Sequence, residues 1–247
     1  MAFAGSWTDL GIDKAFFINL DKREDRRSQI VGQMTAIGLE PVRHSAQDAA
    51  NSFPVFSDYP VLNTAPQLAC LYSHLSLWRE LLVQHRDNVF LVIEDDCCLA
   101  PRLPTSLSLT SLPPQWEILQ LGTNFPAGLA RNLRFHQLGL VAVRWEPPGW
   151  GAFAYLVKRS CMERFVQQYL PSGQTLNLIG YHWPERVAAD ALLYQDAISY
   201  ALCFPLATTG KLSAATDIGY DSQVMTMTEQ ARQMVEKLWL DHGIVVV

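Results

Sequence analysis

Apolar and polar positions fall in alternating blocks along this 247-residue chain. Ala15–Leu20 (AFFINL) is a compact apolar run of the length of a buried strand. Asp21 follows, with Glu24 three residues later as in a capping box. Ile30, Met34 and Ile37 then recur at helical spacing until Gly38 ends the helix. A loop rich in Ser, Asp, Asn and Pro (Gln47–Pro66) leads to a second helix beginning near Pro66. Its apolar face is Leu68, Leu71, Leu75, Trp78 and Leu82. Val89–Ile93 is a continuous apolar run that stops abruptly at Glu94-Asp95-Asp96. Further strands are expected over Trp116–Leu121, Gly151–Lys158 and Tyr200–Phe204, and short helices over Ser160–Tyr169 and Glu185–Tyr194. A last helix is expected to start at Thr226, with Glu229 three residues on, and to end at Gly243. Apolar strands alternating with helices predict an α/β fold with a mostly parallel sheet covered on both faces. No repeat or low-complexity linker interrupts the pattern, so residues 1–247 read as one domain.

Composition narrows the class. A hydrophobic fraction of 49% against 17% charged residues describes a core-rich globular chain. The net charge of −5 offers no general attraction to nucleic acid or anionic lipid. Five cysteines without C-x-x-C spacing argue against a disulfide framework or a zinc knuckle. A soluble, cytoplasmic protein is expected, with peripheral contact to a membrane-borne acceptor left open, since no apolar run approaches the roughly 20 residues of a membrane helix.

Candidate chemistry begins at the acidic triplet. Three adjacent carboxylates repel one another, and at the carboxyl end of a strand in an open α/β sheet they face the crevice where ligands bind. A divalent cation held by oxygen ligands removes the repulsion and can hold a diphosphate; a solvated acidic turn is the other reading. Strand alternation would put Glu94 and Asp96 on one side and Asp95 on the other. Lys22, Arg23, Arg26 and Arg27 crowd a helix start, either as a solvated face or around a bound phosphate. His74, on an apolar helix, reads as a core histidine or as a residue supporting a ligand. In Pro147–Gly151 two glycines let the backbone approach a ligand closely, and Trp150 offers a flat face for a sugar ring. Periodicity alone does not place Asp190 or Asp217 at a site.

In order along the chain, these pieces resemble glycosyltransferase family 25, the family of bacterial lipooligosaccharide and collagen hydroxylysine galactosyltransferases. FFINLDKREDRR (Phe16–Arg27) resembles the family's first strand and basic helix start. LACLYSHLSLW (Leu68–Trp78) resembles its Ala-Cys-x-x-Ser-His segment, and LVIEDDC (Leu91–Cys97) its Glu-Asp-Asp strand end. WGAFAYLVKR (Trp150–Arg159), VAADALLY (Val187–Tyr194) and Thr216-Asp217-Ile218 are similar to its later segments. The chain departs from the family in carrying Pro66-Gln67 for Gly-Glu and Ala188-Ala189 for Pro-Val.

The resemblance implies a GT-A-type, Rossmann-like mixed sheet flanked by helices, a UDP-sugar donor (galactose first, glucose second), Mn²⁺ or Mg²⁺, and transfer with inversion to a hydroxyl on a glycan or protein. It further implies a nucleotide-binding part over about 13–125 and an acceptor-side part over about 126–247. By the same carry-over Asp96 and Glu94 hold the metal, and Glu94 and Asp95 face the nucleotide. Asn19, Arg23 and Arg27 line the nucleotide pocket, Trp150 and Gly151 approach the sugar, and Asp190, then Asp217, are candidates for the base. Two other classes compete: a metal-dependent phosphoesterase or nuclease, which needs more carboxylates and a positive groove, and a non-catalytic carbohydrate-binding relative, which has no need of clustered carboxylates.

Overall fold

A computed structural model describes residues 3–51, 53–58, 63–147, 149–181, 188–210 and 222–245. Seven strands form its main sheet: β1 (Lys14–Asn19), β2 (Glu40–Ser45), β3 (Val89–Glu94), β4 (Ile118–Gln120), β5 (Ala142–Arg144), β6 (Ala154–Lys158) and β7 (Ser199–Leu202). The helices are α1 (Glu24–Ala36), α2 (Ala65–Gln84), α3 (Pro126–Gln137), α4 (Arg159–Tyr169), α5 (Ala189–Gln195) and α6 (Ser222–Asp241). The strand order is β2-β1-β3-β6-β4-β7-β5. β6 runs antiparallel to β3 and β4, and β5 antiparallel to β7, while the other pairings are parallel. The mixed sheet flanked by helices that the family resemblance implies is present. The mostly parallel sheet expected from apolar strands alternating with helices is not, because β5 and β6 run against their neighbours.

Alternation along the strands sorts the core into two layers. Phe16, Ile18, Phe90, Val92, Tyr155 and Val157 pack with α2, α4 and α5. Ala15, Phe17, Leu91, Ile93, Ala154 and Leu156 pack with α1, α3 and α6. Because both faces are covered, these strands read as unbroken apolar runs. The connection from β1 goes outward to β2, and the next returns past β1 to β3. The order therefore reverses between β1 and β3, and a crevice opens beyond their carboxyl ends. Asn19 and Glu94 are the last residues of those two strands.

Helix starts differ from expectation where side chains find other partners. Asp21 does not cap α1; its carboxylate accepts from Arg43 and from Ser45 Oγ (2.8 Å) at the end of β2. The helix accordingly begins three residues later, at Glu24. It ends at Ala36, and Gly38 takes the expected left-handed conformation (φ 79°). α2 carries a full capping box, Thr64 with Gln67, around the anticipated Pro66. Thr226 is not the cap of α6, which already runs from Ser222; its hydroxyl bonds back to the Ser222 carbonyl (2.8 Å).

Helix α3 and strands β2 and β5 were not anticipated, nor was a short antiparallel ribbon of Cys97–Leu99 with Ala207–Thr209. That ribbon ties the residues after the acidic triplet to the chain leading toward α6. Gly122 is required nearby, because a Cβ there would lie 2.1 Å from the Ala207 carbonyl oxygen. Of the expected helix Glu185–Tyr194, the part seen is Ala189–Gln195; residues 182–187 lie outside the described residues, as do Asp217 and its neighbours.

Candidate active site

The crevice is a cavity of about 670 Å³. The β1–α1 turn, α2, the end of β3, the Trp150–Phe153 segment, α5 and the first turns of α6 all contribute to its wall. Glu94, Asp95 and Asp96 all line it.

The triplet divides differently from the alternation expected of a strand, because β3 ends at Glu94 and the next two residues turn. Glu94 points toward α2, where its Oε1 lies 3.2 Å from His74 Nε2 and 3.8 Å from Cys70 Sγ. Asp95 points toward α1: Oδ2 accepts from Asn19 Nδ2 (2.7 Å) and Oδ1 from Arg26 Nη1 (3.1 Å). Asp96 shares that guanidinium, with Oδ2 at 3.7 Å. Its Oδ1 is buried with no hydrogen-bond partner among the described residues. Burial, with the charges of Glu94 and Asp95 beside it, pushes the Asp96 carboxyl up to about 7 against the pull of Arg26 and a backbone hydrogen bond. Asp95 is raised too, chiefly by burial, against the pull of Asn19 and Arg26. A buried carboxylate oxygen without a donor, in a set of hard oxygen ligands, suits a divalent cation.

From the basic segment the cavity wall takes Lys22 and Arg26, not Arg23 and Arg27. The reason is helical phase. Arg26, Ile30 and Met34 share the buried stripe of α1, whereas Arg27 is exposed and Arg23 reaches Asp25. The i, i+4, i+8 spacing of Arg26 with two core residues was the signal that could have found it. Asn19 stands behind the wall rather than on it. Fully buried, it also donates to the Arg23 carbonyl (3.0 Å) and accepts from Arg43 Nε (2.9 Å), which fixes the amide that holds Asp95.

Across the cavity, Gly151 and Asp190 form one unit. Asp190 Oδ2 accepts from the Gly151 N–H (3.1 Å) and Oδ1 from the Ala191 N–H (3.0 Å). The Gly151 carbonyl accepts from Tyr194 Oη (2.9 Å) and Gln120 Nε2 (3.2 Å). Gly151 has φ 125°, and a Cβ there would meet the Phe153 ring at 2.6 Å, so only glycine follows this path without strain. Desolvation, helped by the negative charge of Glu94, raises Asp190 to about 6 despite those backbone hydrogen bonds. Trp150 lies on the wall beside it, its indole packed edge-on to Trp145 at 5.3 Å.

His74 is fully buried and connected on both sides. Nδ1 lies 2.8 Å from Tyr155 Oη, which in turn accepts from Trp78 Nε1 (3.1 Å). It thus joins both readings of the sequence, a core histidine that also touches a residue of the cavity floor.

Residues 12–173 match the family described as Glycosyltransferase family 25 (LPS biosynthesis protein). Comparison with curated proteins gives no match. Among solved structures, the chain is similar to a glycosyltransferase involved in glycosylation of the major capsid of PBCV-1, at 9% identity and a TM-score of 0.36. That likeness covers 89% of this chain and 98% of the other. It is also similar to the glycosyltransferase GlyE of Streptococcus pneumoniae TIGR4, at 9% identity and a TM-score of 0.43, covering 94% of this chain and 64% of that one.

Proposed function

The chain belongs to glycosyltransferase family 25, and from that premise we propose that it is a metal-dependent hexosyltransferase. Its donor in this reading is a UDP-sugar, galactose first and glucose second. Its acceptor is a hydroxyl on a glycan or protein, and the anomeric centre inverts. The observation that carries the reading is the unpartnered, buried Asp96 Oδ1 in a cavity that Asp190 also lines.

Asp96 and Glu94 would hold Mn²⁺ or Mg²⁺, which as a Lewis acid supplies stabilisation of the negative charge developing on the leaving diphosphate. Lys22 and Arg26 add positive charge on the cavity wall, and Arg26 also holds Asp95 in place and favours its ionised form against the effect of burial. Asp95, fixed by Asn19, stands on the nucleotide side. Trp150 offers an apolar face to the sugar. An acceptor hydroxyl must lose a proton as it attacks, and a carboxylate at about 6 is suited to take it near neutral pH. The Gly151 N–H orients Asp190 for that role. Asp217 is the second candidate for the base. In this reading the nucleotide side is built from about 13–125 and the acceptor side from about 126–247, as one domain that acts in the cytoplasm. No helix among the described residues is long and apolar enough to cross a membrane.

The test is a panel of UDP-sugars with Mn²⁺, Mg²⁺ or chelator, scored by UDP release and by donor-induced thermal stabilisation. One donor should give both responses, and only with the cation. Equal UDP release in chelator, or no response to any UDP-sugar, would overturn the proposal.

A further inference from the structure

We propose that the cavity also carries a thiophilic cation site, made by Cys70 Sγ, His74 Nε2 and Glu94 Oε1, and that Zn²⁺ bound there inhibits the enzyme. The inhibitory half rests on the function proposed above; the binding half does not. Cys70 and His74 are four residues apart on α2 and so project from one helix face. Glu94 meets them from the end of β3, and one ligand atom from each residue lies within 4.8 Å of the others. All three line the cavity, which gives an ion a way in.

The distances are close to those of a coordinated ion. Zinc bonds of about 2.3 Å to sulfur and 2.0–2.2 Å to nitrogen and oxygen set tetrahedral edges at about 3.4–3.6 Å. The nitrogen–oxygen edge is 3.2 Å, the sulfur–oxygen edge 3.8 Å, and the sulfur–nitrogen edge lies within 4.8 Å, so side-chain adjustments bring the three ligand atoms to coordinating distance. Three protein ligands leave a fourth position open toward the cavity, as in zinc sites that bind water or substrate.

Tyr155 is the independent support. A histidine that ligates through one ring nitrogen is normally held by a hydrogen bond at the other, and His74 Nδ1 has Tyr155 Oη at 2.8 Å. Trp78 Nε1–H can only donate, so without an ion Tyr155 Oη accepts it and passes its own proton toward Nδ1. Nε2–H then donates to Glu94. With an ion the imidazole takes its other tautomer: the Nε2 proton leaves to solvent while Nδ1 takes one up, the Tyr155 O–H turns away so that Nδ1–H donates to its oxygen, and the Nε2 lone pair is freed. The Cys70 proton leaves to solvent, as it does for any thiolate ligand.

Sulfur makes the site selective. Thiolate and imidazole favour Zn²⁺ or Co²⁺ over Mg²⁺ and Mn²⁺, which prefer oxygen. An ion here would hold Glu94 against α2, where it already points, so zinc and the proposed catalytic cation compete for one carboxylate.

The experiment titrates the reduced, metal-free chain with Co²⁺ and follows the thiolate-to-cobalt charge-transfer band. One equivalent should produce it, and Zn²⁺ but not Mg²⁺ should remove it. Cys70→Ser should abolish the band, while Cys98→Ser should keep it. In competition with a chromophoric chelator, Tyr155→Phe should weaken zinc roughly 10-fold, and Cys70→Ser by more than the roughly 10–100-fold of an outer-shell change. Circular dichroism checks that each variant is folded. A wild-type protein without the band, or a band undiminished in Cys70→Ser, overturns the site. Zinc should also slow Mn²⁺-supported UDP release, with the half-inhibitory concentration raised in Cys70→Ser; zinc that binds through Cys70 without slowing release overturns the inhibitory half. A cobalt band without UDP release from any donor leaves the site standing and sinks the transferase reading, whereas UDP release without a band does the reverse.

Discussion

Asp96 and Asp190 are carboxylates that burial has moved into the neutral range, and each has its own test. In the proposed mechanism Asp96→Ala removes a ligand of the cation that would stabilise the charge forming on the leaving diphosphate. Cation-stimulated UDP release should fall on the order of 10²–10³-fold, the scale of losing one electrostatic stabiliser, as a UDP-release assay over a Mn²⁺ titration would record. In the proposed role of base, Asp190 would act only when ionised. With its carboxyl at about 6, transfer at saturating Mn²⁺ should lose rate as pH drops through about 6 and level off above it. Asp190→Asn should abolish that limb and cost on the order of 10²–10⁴ in kcat. A pH–rate profile unchanged in the variant would remove Asp190 from the role of base.

At the scale of elements, the site depends on how segments are held. Gly151, just before β6, couples that segment to α5 through Asp190 and Tyr194 and to the end of β4 through Gln120. Gly151→Ala must move the Phe153 ring or the backbone. It should therefore lower transfer more than donor binding, a split visible when kcat is compared with donor-induced stabilisation. α2 carries Cys70 and His74, and its start is fixed by the Thr64–Gln67 capping box. Thr64→Ala should cost about 1 kcal/mol in urea unfolding. Gln67, a departure from the family's glutamate, performs that capping through its amide oxygen, which accepts from the Thr64 N–H at 3.0 Å.

For the whole molecule, raised carboxyls make stability depend on pH in a definite direction. A carboxyl whose folded pKa exceeds its unfolded value binds more protons when folded, so stability falls as pH rises. For Asp190 the contribution is complete below about 4 and lost by about 6; for Asp96 the loss extends to about 7. Burial lowers His44 and His136, which favours folding as pH rises toward 6.5, but the two carboxyls outweigh them, so the metal-free protein should melt lower at pH 8 than at pH 5. Mn²⁺ should restore more at pH 8 than at pH 5, since it competes with the proton for Asp96. At 100 times its dissociation constant a ligand contributes about 2.7 kcal/mol. Scanning calorimetry at the two pH values checks both statements, and a melting temperature that climbs between them without metal would contradict the first.

The chain by itself determined what is local or periodic. The runs at Ala15–Leu20 and Val89–Ile93 are apolar throughout because helices cover both faces of the sheet, so their strands and the acidic stop at Glu94 were legible. So was the α2 face, from its 3.6-residue repeat. β2 (EPVRHS) was not, because it lies at the sheet edge and carries polar residues. α3 was hidden by its Gly, Asn and His, and the Cys97–Leu99 ribbon by its length. Only the tertiary structure decided which residues meet. Arg26 rather than Arg23 or Arg27 reaches the triplet, because helical phase is set by packing against β1 and β3. Asp95 and Asp96 share one guanidinium, because the strand ends at Glu94, two residues before the alternation would reach Asp96. Cys70, His74 and Glu94 converge across 24 residues of chain because a helix and a strand end at the same crevice. Such convergence is a property of the folded topology, and no local pattern of residues encodes it.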